Sequence, residues 1–213
     1  MDRRLVFQSS FLAALVALIS VLVMGYGVPQ PESVPTWQPS DPSASPSEFL
    51  RPGNAYPGLA LGFFAADSLF VLSYTMVFVG LHATAAGRSR SFAGVGLGAG
   101  LLAALLDAGE NAFYITYATA ALNGTPATEP ALPLIYILTD LKWMVAFAAF
   151  YAFGLAWPRE DALGWTVSAL MLLYPLFGVF GVAWPVLVPW RGLFFLVGLL
   201  LFAAHFWREA RSG

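Results

Sequence analysis

Residues 92–122 read FAGVGLGAGLLAALLDAGENAFYITYATAAL, and this stretch decides the fold class. It exceeds the roughly 20 mostly apolar residues that an α-helix needs to cross the hydrocarbon core of a bilayer. Two acidic residues, Asp107 and Glu110, interrupt it near the middle. The stretch therefore predicts a transmembrane helix that carries ionisable groups at membrane depth.

Five further stretches are long and apolar enough to form spanning helices. They lie near Leu5–Val28, Gly58–Ala86, Leu132–Ala156, Leu163–Trp184 and Trp190–Trp207. Only 10% of the 213 residues are charged, and the mean hydropathy is +0.72, so a water-soluble fold would leave much apolar surface uncovered. We predict an all-α, polytopic membrane bundle of six helices, in which residues 1–213 form a single membrane domain.

The basic residues predict how the bundle is oriented. With the N-terminus inside, seven arginines fall on the cytoplasmic side, whereas Arg51 and Arg191 fall outside. Cytoplasmic loops carry an excess of Lys and Arg, so we expect both termini in the cytoplasm and the protein in the cell membrane. Alternatively, the first segment is a signal peptide cleaved near Gly25 or Gly27, because a basic start precedes its apolar run.

Residues 29–57 are rich in proline and serine. The prolines are Pro29, Pro31, Pro35, Pro39, Pro42, Pro46, Pro52 and Pro57. Because proline lacks a backbone N–H, we expect neither a helix nor a central strand here. The segment is interpreted as an extended extracytoplasmic linker or, alternatively, as a lid over the outer mouth of the bundle, anchored by Trp37 and Phe49.

Five ionisable side chains fall at similar depths within the predicted spans. They are Asp67, Asp107, Glu110, Asp140 and Lys142. Each costs roughly 2.5–3.5 kcal/mol in hydrocarbon on insertion scales, so such groups usually face the bundle interior. Four carboxyl groups beside one ammonium leave a formal excess of negative charge, which protons, a bound cation or water must compensate.

Helical periodicity predicts which of these groups share a face. On the third span, one face carries Gly96, Gly100, Ala103, Asp107, Asn111 and Tyr114, with Glu110 at its margin. The small residues of that face should allow another helix to approach closely. On the fourth span, Asp140 and Lys142 are two residues apart and point in nearly opposite directions. If neither faces lipid, this helix is enclosed on two sides and lies centrally.

The candidate ion- or substrate-binding residues are those of the polar layer and its neighbours on the third span. They are Asp67, Asp107, Glu110, Asn111, Tyr114, Asp140 and Lys142. Coupled carboxyl groups with a lysine partner are typical of proton relays, which favours a transporter or channel that is coupled to protons or cations and acts on a proton, a cation or a small molecule. The same residues also fit a structural, assembly or lipid-binding protein whose buried ion pairs fix helix register. A third interpretation is an intramembrane enzyme that uses a divalent metal on a lipid or isoprenoid substrate.

Several other classes are disfavoured by composition. The chain has no cysteine, two histidines and a net charge of −2, which argues against thiolate chemistry, multi-histidine zinc sites and nucleic-acid binding. We predict no cofactor and no bound metal. A heme held by His82 and His205 is a weaker alternative. His82 is otherwise a proton carrier toward the cytoplasm or, more simply, an interfacial histidine near a helix end.

Overall fold

The computed structural model describes residues 2–34, 36–37 and 45–212. Within this part the regular structure is all helical, with no β-strand, and the remaining residues form short connections. The seven α-helices are α1 Arg3–Leu22, α2 Pro46–Ala55, α3 Pro57–Ala85, α4 Arg90–Leu122, α5 Leu132–Ala156, α6 Ala162–Ala183 and α7 Val188–Ser212. A π-helical turn, Val23–Gly27, extends α1, and a 3-10 turn, Pro185–Leu187, precedes α7.

Six helices of this described part, all except α2, are long and apolar enough to cross a membrane. The predicted all-α fold with about six spans is therefore confirmed, and its helix bounds agree with the observed ones to within a few residues at most ends. The protein is consistent with a multi-pass membrane protein. The cytoplasmic location of the termini and the cell membrane as its site remain predictions.

Short polar residues start several of these helices. The Asp2 carboxylate accepts a hydrogen bond from the backbone N–H of Arg4 at 2.9 Å, and the Asp161 carboxylate accepts one from Gly164 at 2.7 Å. Ser89 caps α4 in the same way. Such caps satisfy backbone donors that a helix leaves free in its first turn. The starts of α1, α4 and α6 are therefore fixed by capping side chains next to the predicted ends of these spans.

The six spans pack as a closed ring in chain order. Around the ring the helices follow one another in the order α1, α3, α4, α5, α6 and α7. Each helix contacts the next, and α7 contacts α1. Arg3 and Glu209 form an ion pair at 3.6 Å, which places the start of α1 and the end of α7 on one side. We call this side of the bundle the terminal side, and the side that carries residues 28–34 and 45–56 the loop side.

The predicted central position of the fourth span, now α5, is wrong. In the ring, α5 packs mainly between α4 and α6. Its apolar membrane-spanning stretch is the least buried of the six. Lys142 points into the bundle, whereas Asp140 is exposed on its outer surface. The prediction assumed that both charged side chains face the protein interior. Residues two apart point in nearly opposite directions, so one of them faces outward when the helix has a single inner face.

The proline-rich segment departs from its predicted irregular structure. Pro46–Ala55 forms α2, although we expected no helix there. Ser45 and Glu48 form a reciprocal capping box, and Pro46 occupies the first turn, where a helix needs no backbone donor from it. Pro52 does remove one donor from the helix interior. Of the remaining prolines in the prediction, Pro35, Pro39 and Pro42 lie outside the described residues.

Glycines of α4 allow close packing, as their spacing predicted, but the neighbours are aromatic rings. A Cβ atom added to Gly100 would lie 2.6 Å from the ring of Phe78 on α3. At Gly96 it would lie 2.8 Å from the ring of Phe153 on α5. The absence of a side chain at these two positions therefore lets phenylalanines of both neighbouring helices pack directly against the α4 backbone.

Candidate functional site

The centre of the polar layer is an ion-pair triad between α4 and α5. The Lys142 amine donates to Asp107 Oδ1 at 2.8 Å and also to Glu110 Oε2. Asp107 and Glu110 lie three residues apart on α4, so both carboxylates reach the same amine. Their side chains are 8% and 3% exposed and that of Lys142 is 12% exposed. The three charged groups therefore meet in the protein interior.

Two hydroxyl groups hold the carboxylates of this triad in place. Tyr74 of α3 donates to Asp107 Oδ2 at 2.9 Å, and Thr139 of α5 donates to Glu110 Oε1 at 2.8 Å. Each carboxylate thus accepts a hydrogen bond from the lysine at one oxygen and from a hydroxyl group at the other. Hydrogen bonds of this kind satisfy buried oxygen atoms that would otherwise be costly in a low-dielectric interior.

Asp67 adds a third carboxyl group to the layer. It is 6% exposed and lies close enough to Asp107 and Lys142 to interact electrostatically with both. Asn111, 1% exposed and one turn beyond Asp107 on α4, lies beside the Asp67 carboxyl group. Three carboxyl groups and one ammonium group leave a formal excess of two negative charges. A low-dielectric interior favours compensation of such an excess by protons or by a cation.

The polar layer opens into an internal cavity of about 240 Å³. Asp67, Tyr74, Asp107 and Lys142 line one part of its wall, and all six spans contribute lining residues. The rest of the lining is apolar and largely aromatic. A few convergent polar groups in a mainly apolar cavity are typical of small-molecule sites in proteins. The charged groups are therefore placed where a ligand would reach them.

Two of the seven predicted site residues lie apart from this layer. Asp140 is exposed on the outer surface of the bundle, so it does not belong to the interior cluster. Tyr114 is buried but belongs to an aromatic stack on the loop side, with its ring 4.6 Å from that of Phe64 and 5.4 Å from that of Phe49. Asp67, Asp107, Glu110, Asn111 and Lys142 are brought together.

The predicted anchors of a lid are buried. Phe49 of α2 is 2% exposed and packs on Tyr114 and Tyr136, while Trp37 is 3% exposed and packs on Phe63. Asn54 also donates to the carbonyl oxygen of Ala127, which ties α2 to the loop between α4 and α5. These contacts fit the lid interpretation better than that of an extended linker. The described part of this segment packs on the loop side of the bundle beside α4.

Both histidines contact protein groups away from the polar layer. His82 Nδ1 lies 3.1 Å from the carbonyl oxygen of Ala93, near the end of α3 on the terminal side. His205 Nε2 lies 3.1 Å from the Thr84 hydroxyl, and its ring packs against Trp157. These contacts favour structural roles for both residues over the weaker heme and proton-carrier alternatives.

Two groups of residues at the site were not among those predicted from the sequence. Tyr74 and Thr139 hydrogen-bond the triad, and the available signal was their helical spacing from Asp67 and Lys142. The aromatic lining of the cavity gave no such signal, because phenylalanines are equally suited to lipid and to a protein interior. No family model, curated protein or solved structure matches this chain.

Proposed function

We propose that this protein is a proton- or cation-coupled carrier whose exchange site is the polar layer of α3, α4 and α5. One observation supports the proposal above all: three buried carboxyl groups share a single lysine at the wall of an internal cavity. Ionisable groups within membrane helices usually mark ion or substrate pathways, because their cost in hydrocarbon is otherwise hard to offset. An incomplete charge balance gives protons and cations a reason to bind there.

The geometry of the triad supports exchange. The Lys142 amine has two carboxylate partners, so it keeps Glu110 when Asp107 takes up a proton or contacts a cation. Tyr74 then remains available to hydrogen-bond whichever form of Asp107 is present. Asp67 faces the cavity beside Asp107 and supplies the second negative charge. Because the groups are coupled, occupancy of one changes the proton affinity of the others.

The structural alternative accounts for less of what is observed. A buried pair that only fixes helix register needs one acid for one base. Here Asp107 and Glu110 already exceed that requirement, and Asp67 lies at the cavity wall. A scaffold role offers no reason for the extra carboxyl group, whereas binding of a proton or cation does.

The metal-dependent enzyme fits least well. Within the described residues, no group of three or more His, Asp or Glu side chains is arranged to hold a metal ion. The Lys142 ammonium also occupies the position between Asp107 and Glu110 that a divalent ion would need. A divalent ion such as Mg²⁺ requires a near-octahedral set of oxygen ligands, and all four carboxylate oxygens of Asp107 and Glu110 already accept hydrogen bonds from protein donors.

The proposal is tested with purified protein in liposomes that enclose a pH-sensitive dye. Na⁺, K⁺ or choline is added outside in turn. If an entering cation is exchanged for a proton, the interior becomes more alkaline than in protein-free liposomes. Asp107→Asn should abolish this signal, because it removes a charge from the exchange site.

Asp140→Asn is the matched control, since it removes a carboxylate that lies on the outer surface of the same bundle. It should retain the signal. Size-exclusion profiles and thermal unfolding establish that both variants are folded. If no cation changes the interior pH beyond the protein-free level, or if Asp107→Asn behaves like the wild type, the carrier proposal is wrong.

A further inference from the structure

Six aromatic side chains form a closed circuit around the internal cavity. Each ring contacts the next, with centroid separations of 5.0 to 6.5 Å, and the last returns to the first. In order they are Phe70, Tyr74, Phe78, Phe150, Tyr174 and Phe195. They come from α3, α5, α6 and α7, and all six line the cavity. We call this circuit the aromatic cage.

The charge around the cage is negative. Aromatic faces carry negative quadrupole density, which attracts cations within about 6 Å of the ring centroid. Asp67 and Asp107 line the same cavity and add carboxyl groups to that field. Among the described residues that line the cavity, the one cationic side chain is Lys142, which is held by Asp107 and Glu110 and lies 5.8 Å from the Trp143 ring. The cavity thus retains negative groups that the lysine does not neutralise.

The size of the cavity limits the ligand. Its volume of about 240 Å³ falls below the range of roughly 300–1,000 Å³ that is usual for drug-sized ligands. An inorganic ion would leave most of the aromatic wall without a contact. A neutral apolar molecule would fill the wall and leave the excess carboxyl charge uncompensated. An organic cation of a few carbon atoms would both contact the aromatic wall and compensate the carboxyl charge.

We infer that the cavity binds a small alkylammonium cation, with its methylated or alkylated nitrogen inside the aromatic cage and its charge facing Asp67. This inference names the substrate class of the carrier and rests on that proposed function for transport, although binding is measurable without it. Alkyl groups on nitrogen lower the cost of removing the cation from water. The positive charge is distributed over these alkyl groups, so several of them can contact aromatic rings at once.

The probe is choline, and its matched control is 3,3-dimethylbutan-1-ol, in which carbon replaces the nitrogen and the charge is lost. Binding of both to purified protein in detergent is measured by isothermal titration calorimetry. We expect choline to bind at least about tenfold more tightly than the alcohol, because only the cation gains from the rings and carboxyl groups. Equal affinities would show a site for apolar shape alone and would overturn the inference. So would failure of both compounds to bind at millimolar concentration.

Neighbouring phenylalanines on α7 provide a matched pair of variants. Phe195 belongs to the cage, whereas the ring of Phe194 packs on Phe177 at 4.6 Å and does not line the cavity. Phe195→Leu keeps an apolar side chain but removes the ring, so choline affinity should fall about three- to thirtyfold. Phe194→Leu should leave it unchanged. Equal effects of the two substitutions would contradict a cage.

The two proposals fail separately. If choline binds with the expected selectivity but none of choline, Na⁺ and K⁺ moves protons in liposomes, the carrier function is wrong and the binding site remains. If Na⁺ or K⁺ exchanges for protons while choline neither binds nor is transported, the carrier function stands. The alkylammonium assignment is then wrong.

Discussion

Replacing Lys142 by methionine tests the triad most directly. Methionine keeps the apolar stem of the side chain but removes the amine that binds Asp107 and Glu110. Hydrogen bonds between membrane helices contribute on average about 0.6 kcal/mol each, so loss of the two bonds alone predicts about 1 kcal/mol. Removing one partner of a buried ion pair costs about 3–5 kcal/mol, because it leaves charge uncompensated. The two nearly buried carboxylates place Lys142→Met in the second range at neutral pH.

The assay is reversible unfolding in mixed micelles, with denaturing detergent as the variable and fluorescence of the seven tryptophans as the signal. Adding Glu110→Gln to Lys142→Met should restore part of the stability, because one of the two carboxylates is then replaced by a neutral amide. A loss below about 1 kcal/mol, with no rescue by Glu110→Gln, would refute a charged triad.

Three further predictions concern individual contacts. Tyr74→Phe, which removes a hydrogen bond to a buried carboxylate, should cost about 0.6–1.7 kcal/mol in the same unfolding assay; no loss would mean that the bond contributes nothing. Gly100→Ala should destabilise the protein by about 1–3 kcal/mol, because the added Cβ meets a phenylalanine ring. Gly98→Ala on the same helix places its Cβ in open space and should not destabilise it. Equal effects of the two substitutions would contradict the close packing. The Gly164 N–H lowers the pKa of Asp161 below its ordinary value of 3.8, so the helix cap stabilises fully above that region and weakens as the pH falls through the lowered pKa. Asp161→Asn, which keeps the acceptor but does not titrate, should therefore show a flatter acid dependence of unfolding than the wild type, and parallel curves would exclude the cap as the cause.

The helical pattern of the sequence was sufficient for the fold class and for part of the site. Length and hydropathy identified the six spans, and the 100° period placed Asp107 and Asn111 on one inward face of α4. The same period placed Lys142 and Asp140 on opposite faces of α5. These predictions depend only on local geometry, which a sequence determines well.

The sequence did not reveal which face of α5 is the inner one. Both faces are rich in apolar residues, which suit lipid and protein interior equally, so periodicity alone does not choose between Lys142 and Asp140. The choice depends on the carboxylates of α4, which lie more than thirty residues away in the chain. The helix α2 was missed for a different reason. The prediction rested on its prolines alone and did not consider the capping box that Ser45 and Glu48 form.

The shared triad also bears on biogenesis. Asp140 and Lys142 near the middle of α5 each carry an insertion penalty of about 2.5–3.5 kcal/mol, so this helix is a poor candidate to enter the bilayer alone. The acids that bind Lys142 lie on α4, and only residues 123–131 separate the two helices. The two segments are therefore suited to leave the insertion machinery together as a hairpin, with Lys142 already paired to Asp107 and Glu110. Folding of this protein would then begin with α4 and α5, before the ring of helices closes around the cavity.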